Sequence, residues 1–264
     1  MELESSFKVD TDLIMTPQQL RDTYMWGVQV KNAEGVELGD DVYKFYLEAA
    51  QQEIEDYFNI KLKRQVIQET RDYIWDDYAS YGFVRCSYPV CRAFYLKGMF
   101  GEAEQIVYPP EWLSTKRSNE VPEMYFRNVY LIPNVGGYTN NGTHSGVTFN
   151  GIFGANLLWR SKTWIPNYWH IRYVTGFSKV PMDIMNLMGK MASINLFHIA
   201  GDLILGAGIA SFSLGIDGLS QSISSTSSAT NAGYGARVLG YLDDIKRLLP
   251  VLENKYRGFT VSVL

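Results

Sequence analysis

Residues 40–75 read DDVYKFYLEAAQQEIEDYFNIKLKRQVIQETRDYIW, and the spacing of apolar residues changes inside that stretch. In its first half Tyr43, Tyr46, Leu47, Ala50, Ile54, Tyr57 and Phe58 recur at steps of three and four. That period places them on one face of a helix running from Asp40 to about Asn59, with Asp40 or Asp41 available as a cap. From Arg64 onward β-branched and aromatic residues alternate with polar ones, which is the period of a half-buried strand. One amphipathic helix handing directly into strands predicts an α+β chain.

Reading outward toward the N-terminus, residues 1–38 are polar and mixed, and Thr16-Pro17-Gln18-Gln19-Leu20 predicts a short helix capped by Thr16 with Pro17 in its first turn. A turn follows near Gly35. Toward the C-terminus, strands are expected over Gln65–Trp75, Gly82–Tyr88, Ala93–Met99, Met124–Ile132 and Tyr168–Val174. Pro89, Pro109, Pro110, Pro122, Pro133 and Pro166 punctuate this region and exclude long helices from it, so an antiparallel sheet or small sandwich is the economical arrangement. The glycine- and asparagine-rich residues 134–154 read as a hairpin tip or surface loop.

Helical spacing returns after Val180 with Pro181, Ile184, Leu187, Met188, Met191, Ile194 and His198, running toward Gly201. Ser211–Ile223 reads as a hairpin around Asp217-Gly218. Residues 221–235 are dominated by Ser, Thr, Gly and Asn and bury too little apolar surface to offset their ordering entropy, so a flexible loop is expected. A last helix spans about Ala236 to Arg257, with Pro250 expected to kink or divide it. The end, Phe259-Thr260-Val261-Ser262-Val263-Leu264, alternates apolar and polar. Such a tail either adds as a strand to a partner or docks on the chain's own sheet. The architecture expected is therefore amphipathic helices flanking an antiparallel β-rich insertion, with a C-terminal helix and an extended tail. The parts are residues 1–63, 64–180 for the insertion, and 181–264. Partner contacts are expected from the hairpin at Phe212, Leu214, Ile216, Leu219 and Ile223, and from the tail at Phe259, Val261, Val263 and Leu264.

The bulk numbers narrow the function. The 264 residues carry 24 Lys and Arg against 28 Asp and Glu, a net charge of −4, and the basic pairs Lys63-Arg64, Lys116-Arg117 and Lys246-Arg247 are isolated. Gripping duplex DNA needs clustered cations, so a DNA clamp is disfavoured, whereas an acidic wall past which DNA slides is compatible. The two cysteines, Cys86 and Cys91, match neither zinc nor redox spacing. His144, His170 and His198 have no metal-ligand spacing. The most apolar stretch, Ile194–Ile216, is interrupted by Asp202, and the uncharged run 203–216 is shorter than the ~20 residues of a membrane span.

Motifs for catalysis fail on close reading. Gly142-Thr143-His144-Ser145-Gly146 misplaces the serine of a nucleophile elbow, and Gly206-Ala207-Gly208-Ile209-Ala210-Ser211 lacks the third glycine of a dinucleotide fingerprint. The acid pairs Asp40-Asp41 and Asp243-Asp244 read as a helix cap and a solvated helix face. Asp76-Asp77, beside Trp75 and Tyr78, has nothing to complete a site. No enzymatic activity, cofactor or metal is expected. A competing reading is a carbohydrate-binding or glycan-cleaving β-domain, motivated by Trp75, Trp112, Trp159, Trp164 and Trp169.

The order helix, strands, then a Pro-introduced helix resembles the head–tail connector (adaptor) family of tailed double-stranded DNA phages. The residues carrying it are Ala49-Ala50 and Ile54-Glu55-Asp56-Tyr57, then Leu62 and Arg64-Gln65, the Tyr88-Pro89-Val90 turn, and Ile171-Arg172-Tyr173-Val174-Thr175-Gly176-Phe177 leading to Val180-Pro181-Met182-Asp183-Ile184. The resemblance covers about residues 40–205, and residues 206–264 extend beyond it. It implies a structural virion protein made in the host cytoplasm. Such a protein forms a ring, commonly a dodecamer, between the portal protein and a downstream tail or stopper protein, with DNA passing through without sequence-specific binding. Another neck, tail-completion or baseplate component shares these features. No cofactor, turnover or membrane association is implied.

Overall fold

The computed structural model describes residues 13–31, 35–74, 82–119, 124–132, 164–205, 211–216, 219–224 and 234–256, and the fold is α+β. Its helices are α1 (Pro17–Thr23), α2 (Asp40–Phe58), α3 (Met182–Leu205) and α4 (Gly235–Tyr256). Its strands are β1 (Gln65–Ile74), β2 (Phe83–Arg85), β3 (Arg92–Phe100), β4 (Ala103–Tyr108), β5 (Leu113–Arg117), β6 (Tyr125–Leu131), β7 (Trp164–Thr175), β8 (Ser211–Ile216) and β9 (Leu219–Ser224). The chain divides into two compact units, Asn59–Lys179 and Asp12–Phe58 with Val180–Leu264.

The Asn59–Lys179 unit holds a four-stranded antiparallel sheet, order β1-β7-β3-β4, and a three-stranded one, order β2-β6-β5. Val84, Cys86, Val90, Leu96, Val129, Leu131, Ile171 and Tyr173 form its core with an aromatic group of Tyr73, Tyr108, Tyr168 and Trp169. Tyr168 and Trp169 meet edge to face, with ring centroids 4.7 Å apart, a geometry that adds to their area burial. Burial pushes the Tyr73 and Tyr168 hydroxyls up to about 12, so both stay neutral. Gly98 on β3 is required here: a Cβ would sit 2.6 Å from the Tyr168 hydroxyl oxygen. The strands at the two ends of the unit are paired, Gln65 opposite Thr175. Beyond that pair Gly176 adopts φ +90°, and a Cβ on it would lie 2.1 Å from the Lys63 carbonyl oxygen. Phe177 N–H donates to the Leu62 carbonyl at 3.3 Å. The segments by which the chain enters and leaves this unit therefore touch.

In the other unit α1 opens with a full capping box. The Thr16 hydroxyl accepts from Gln19 N–H at 3.1 Å, and the Gln19 side chain accepts from Thr16 N–H at 3.0 Å. α2 buries Tyr43, Leu47, Ala50, Ile54 and Phe58, the expected face, and packs on α3. It ends where Asn59 takes a left-handed φ of 53°. α3 buries Ile184, Leu187, Met188, Leu196 and Phe197, and α4 buries Val238, Leu252 and Tyr256. Tyr24 wedges against α3: a Cβ on Gly189 would meet its ring at 2.3 Å. The Tyr24 carbonyl accepts from the Tyr241 hydroxyl at 2.7 Å.

Several details depart from the sequence reading. Asp40 and Asp41 lie inside the first turn of α2 rather than capping it, where they complement the helix dipole. Asp40 pairs with Arg21, and Asp41 with Lys44 at 3.3 Å. Tyr57 is exposed, its hydroxyl donating to Glu253. α4 is not divided at Pro250, although the proline removes one backbone donor. Its last turn is held from outside, because Tyr256 O–H and Lys255 Nζ both donate to the Asp183 carboxylate, at 2.8 and 3.2 Å. β4 and β5 were not anticipated. β7 begins at Trp164, before the expected Tyr168, and tolerates Pro166 where the β1–β7 register shifts between Arg71 and Tyr73 and Asn167 has φ 52°; a bulge is where a strand accepts a proline. α3 runs past Gly201 to Leu205, and β2 is limited to three residues.

Candidate interaction surfaces

The expected contact residues fall into two groups. Phe259, Val261, Val263 and Leu264 lie outside the described residues, as do Asp76-Asp77 and residues 134–154. The hairpin is present as β8 and β9, a two-stranded sheet separate from the other two. By register, Phe212, Leu214 and Ile216 of β8 lie opposite Ile223, Gln221 and Leu219 of β9. A two-stranded ribbon is marginal alone in water and needs further packing to be stable.

Large apolar side chains stand in solvent elsewhere. Trp26 is 77% exposed, presented by a turn in which Gly27 has φ +78° and held by Arg237, whose Nη1 donates to the Trp26 carbonyl at 3.2 Å. Phe45 on α2 is 63% exposed and Met182 at the start of α3 is 70% exposed. Aromatic side chains are enriched at contact surfaces, and single exposed ones also occur on free surfaces.

Within the Asn59–Lys179 unit a cleft of about 580 Å³ runs beside β1 and β2. Its walls include Thr70, Arg71 and Asp72 of β1, Phe83 and Arg85 of β2, and Arg127 of β6. The strands are pinned together at one end, where Ser87 N–H donates to Glu69 Oε1 at 2.8 Å and Arg71 bonds both Glu69 and the Ser87 hydroxyl. Asp72 is committed as well: it accepts from Trp164 Nε1 at 3.0 Å and from Asn167 N–H at 2.8 Å. Burial, and then the neighbouring Arg85 charge, lower the pKa of Arg127 from the usual guanidinium value. Nothing in the sequence marked this cleft, because its arginines come from three separate strands.

The described tryptophans of the strand region, Trp112, Trp164 and Trp169, do not make a sugar-stacking face, and Trp75 and Trp159 lie outside the described residues. Trp169 is 1% exposed in the core, Trp112 packs against that core, and Trp164 is exposed with its indole N–H bound to Asp72. Cys86 is a buried free thiol that burial and the nearby Glu69 push up, and the Cys91 thiol donates to the Gly176 carbonyl at 3.2 Å. Both act as packing groups, since the thiol form is unreactive. Among the described residues no three His, Cys, Asp or Glu side chains gather where they could hold a metal ion, and no helix is long and apolar enough to cross a membrane. No protein-family model matches the chain, and no curated protein matches it.

Proposed function

We propose that this chain is a structural virion protein, a head–tail connector (adaptor) subunit that forms a ring between the portal and the tail of a tailed double-stranded DNA phage. The observation that carries the reading is the nesting of one unit inside the other. Asp12–Phe58 and Val180–Leu264 come from the two ends of the chain and make one unit, and Asn59–Lys179 is inserted between them. The inserted unit enters and leaves through touching segments at Leu62 and Phe177. This is the helix, strands, helix order on which the resemblance to the connector family rests.

A subunit of a closed ring contacts its neighbours through two different surfaces, so it must carry at least two complementary patches. The β8–β9 ribbon, the apolar tail 259–264 and the exposed Trp26 and Phe45 supply candidates of different chemistry. The ribbon or the tail docks on a neighbouring subunit or on the portal in this reading. The net charge of −4 suits a wall that DNA passes without adhering.

Cryo-electron microscopy of the intact particle tests the proposal. The expected result is a ring of this chain coaxial with the DNA channel below a portal; the chain found outside the neck, or as a monomer free of the particle, overturns it. Removal of residues 259–264 is expected to leave a folded monomer that no longer joins the ring. A truncated chain that docks normally removes the tail from the contact and leaves the ribbon.

A further inference from the structure

We propose that the cleft between β1 and β2 binds an extended acidic segment of a partner polypeptide, whose carboxylate pairs with Arg85 and whose backbone continues the open edge of β2. The inference is independent of the connector reading.

The backbone argument comes from register. Gly82 accepts from Leu131 N–H at 3.0 Å and Cys86 N–H donates to the Arg127 carbonyl at 2.8 Å, so residues 82 and 86 turn their peptide groups toward β6. In an antiparallel pair these directions alternate, and Val84 opposite Val129 belongs to the same set. The peptide groups of Phe83 and Arg85 therefore point to the other side. β2 is the end strand of its sheet and β1 the end strand of the other. An open edge with free donors and acceptors is a template for strand addition.

The charge argument selects the occupant. Arg71, Arg85 and Arg127 line the cleft. Among the described residues the acids beside it have partners, Glu69 in Ser87 and Arg71, and Asp72 in Trp164 and Asn167. Arg85 is exposed, and among the described residues no carboxylate pairs with it. A basic cleft in a chain of net charge −4 is complementary to carboxylates, and the planar guanidinium binds a carboxylate through two parallel hydrogen bonds. A nucleic-acid backbone needs a continuous basic track, which this short cleft lacks.

The test is fluorescence anisotropy with a labelled hexaglutamate peptide and the full chain at low ionic strength, with a hexaserine peptide as the neutral control. The peptide should bind saturably and release as salt is raised, and hexaserine should not bind. Arg85→Glu should weaken binding by about tenfold or more, and Arg85→Lys should fall between, because an ammonium cannot make the paired bonds. Arg85 is exposed, and circular dichroism of each variant checks that the fold is kept. Bound peptide should also slow hydrogen exchange at the Phe83 and Arg85 amides. Absence of saturable binding, equal affinity in Arg85→Glu, or unprotected amides at 83 and 85 overturns the proposal. Equal displacement by inorganic phosphate at matched concentration overturns it as well, showing a site for small anions only.

Discussion

The two units of this chain are stabilised by different means. In Asn59–Lys179 the buried centre is aromatic, with Tyr73, Tyr108, Tyr168 and Trp169 gathered from strands far apart in sequence. Two glycines there, Gly98 and Gly176, sit where a single methyl group would collide with a hydroxyl or a carbonyl. In the helical unit the buried positions are mostly aliphatic and recur with the helix period. Ion pairs and hydrogen bonds then fasten one helix to the next: Lys190 to Asp244 at 2.8 Å, and Tyr256 and Lys255 to Asp183. A sheet core assembled from distant residues tolerates little change of volume. Helix faces held partly by flexible polar side chains adjust more readily.

The largest effect is expected at the neck of the inserted unit. Gly176→Ala forces a side chain into both a left-handed backbone and the Lys63 carbonyl, and the loss should exceed about 4 kcal/mol, in the range of exceptional single substitutions. Urea denaturation should find little folded protein; near-wild-type stability would show that the neck can open without disturbing β1 and β7. Trp169→Ala should cost about 3–5 kcal/mol by emptying the aromatic centre. Hydrogen exchange should then rise in β1, β3 and β7 more than in α2 and α3. Equal acceleration in both sets would break the contrast between the units and make the chain a single cooperative body.

In the helical unit the same kind of substitution should be milder. Gly189→Ala pushes a methyl group into the Tyr24 ring, and overpacking of this sort costs about 1–3 kcal/mol. Part of that returns as improved helix propensity, about 1 kcal/mol for Gly to Ala. Thermal unfolding of the variant, with Tyr24→Ala as the second arm of a double-mutant cycle, measures how far Tyr24 can yield.

The smallest effect is a pH dependence. Hydrogen bonds from Lys190 and then Arg247 hold the Asp244 carboxyl below its ordinary value of 3.8. A carboxylate depressed in the folded state contributes fully above its unfolded pKa and loses that contribution as the pH falls through the folded one. Asp244→Asn should therefore flatten the stability profile below about pH 4 and leave its shape near neutrality unchanged. An unchanged acid limb would mean that the pair with Lys190 is not maintained in solution.

Much of the helical unit was legible from the chain alone. The α2 face follows from the spacing of Tyr43, Leu47, Ala50, Ile54 and Phe58, and the Thr16 cap follows from Pro17 and Gln19. Strands β1, β3, β6 and most of β7 follow from alternation between turn residues. β4 and β5 escaped because Ala103-Glu104-Gln105 and Ser114-Thr115-Lys116-Arg117 are polar runs at sheet ends, where half of each strand faces water and no apolar alternation is required. Pro166 is accommodated at a bulge, and Pro250 lies within an undivided α4.

The candidate contact hairpin was visible because its apolar residues alternate around Asp217-Gly218. The Arg-lined cleft was not, because its charges come from β1, β2 and β6, and none of those strands shows a basic cluster.

What the sequence determined by itself is the α+β class, the helix faces and the hairpin, all of which depend on residues within a few positions of one another. Only the tertiary structure decided the strand order β1-β7-β3-β4, the contact of Leu62 with Phe177 at the neck, and the gathering of arginines around the open edge of β2. Strand pairing and charge clustering join residues distant along the chain, and local periodicity carries no information about which distant partner wins.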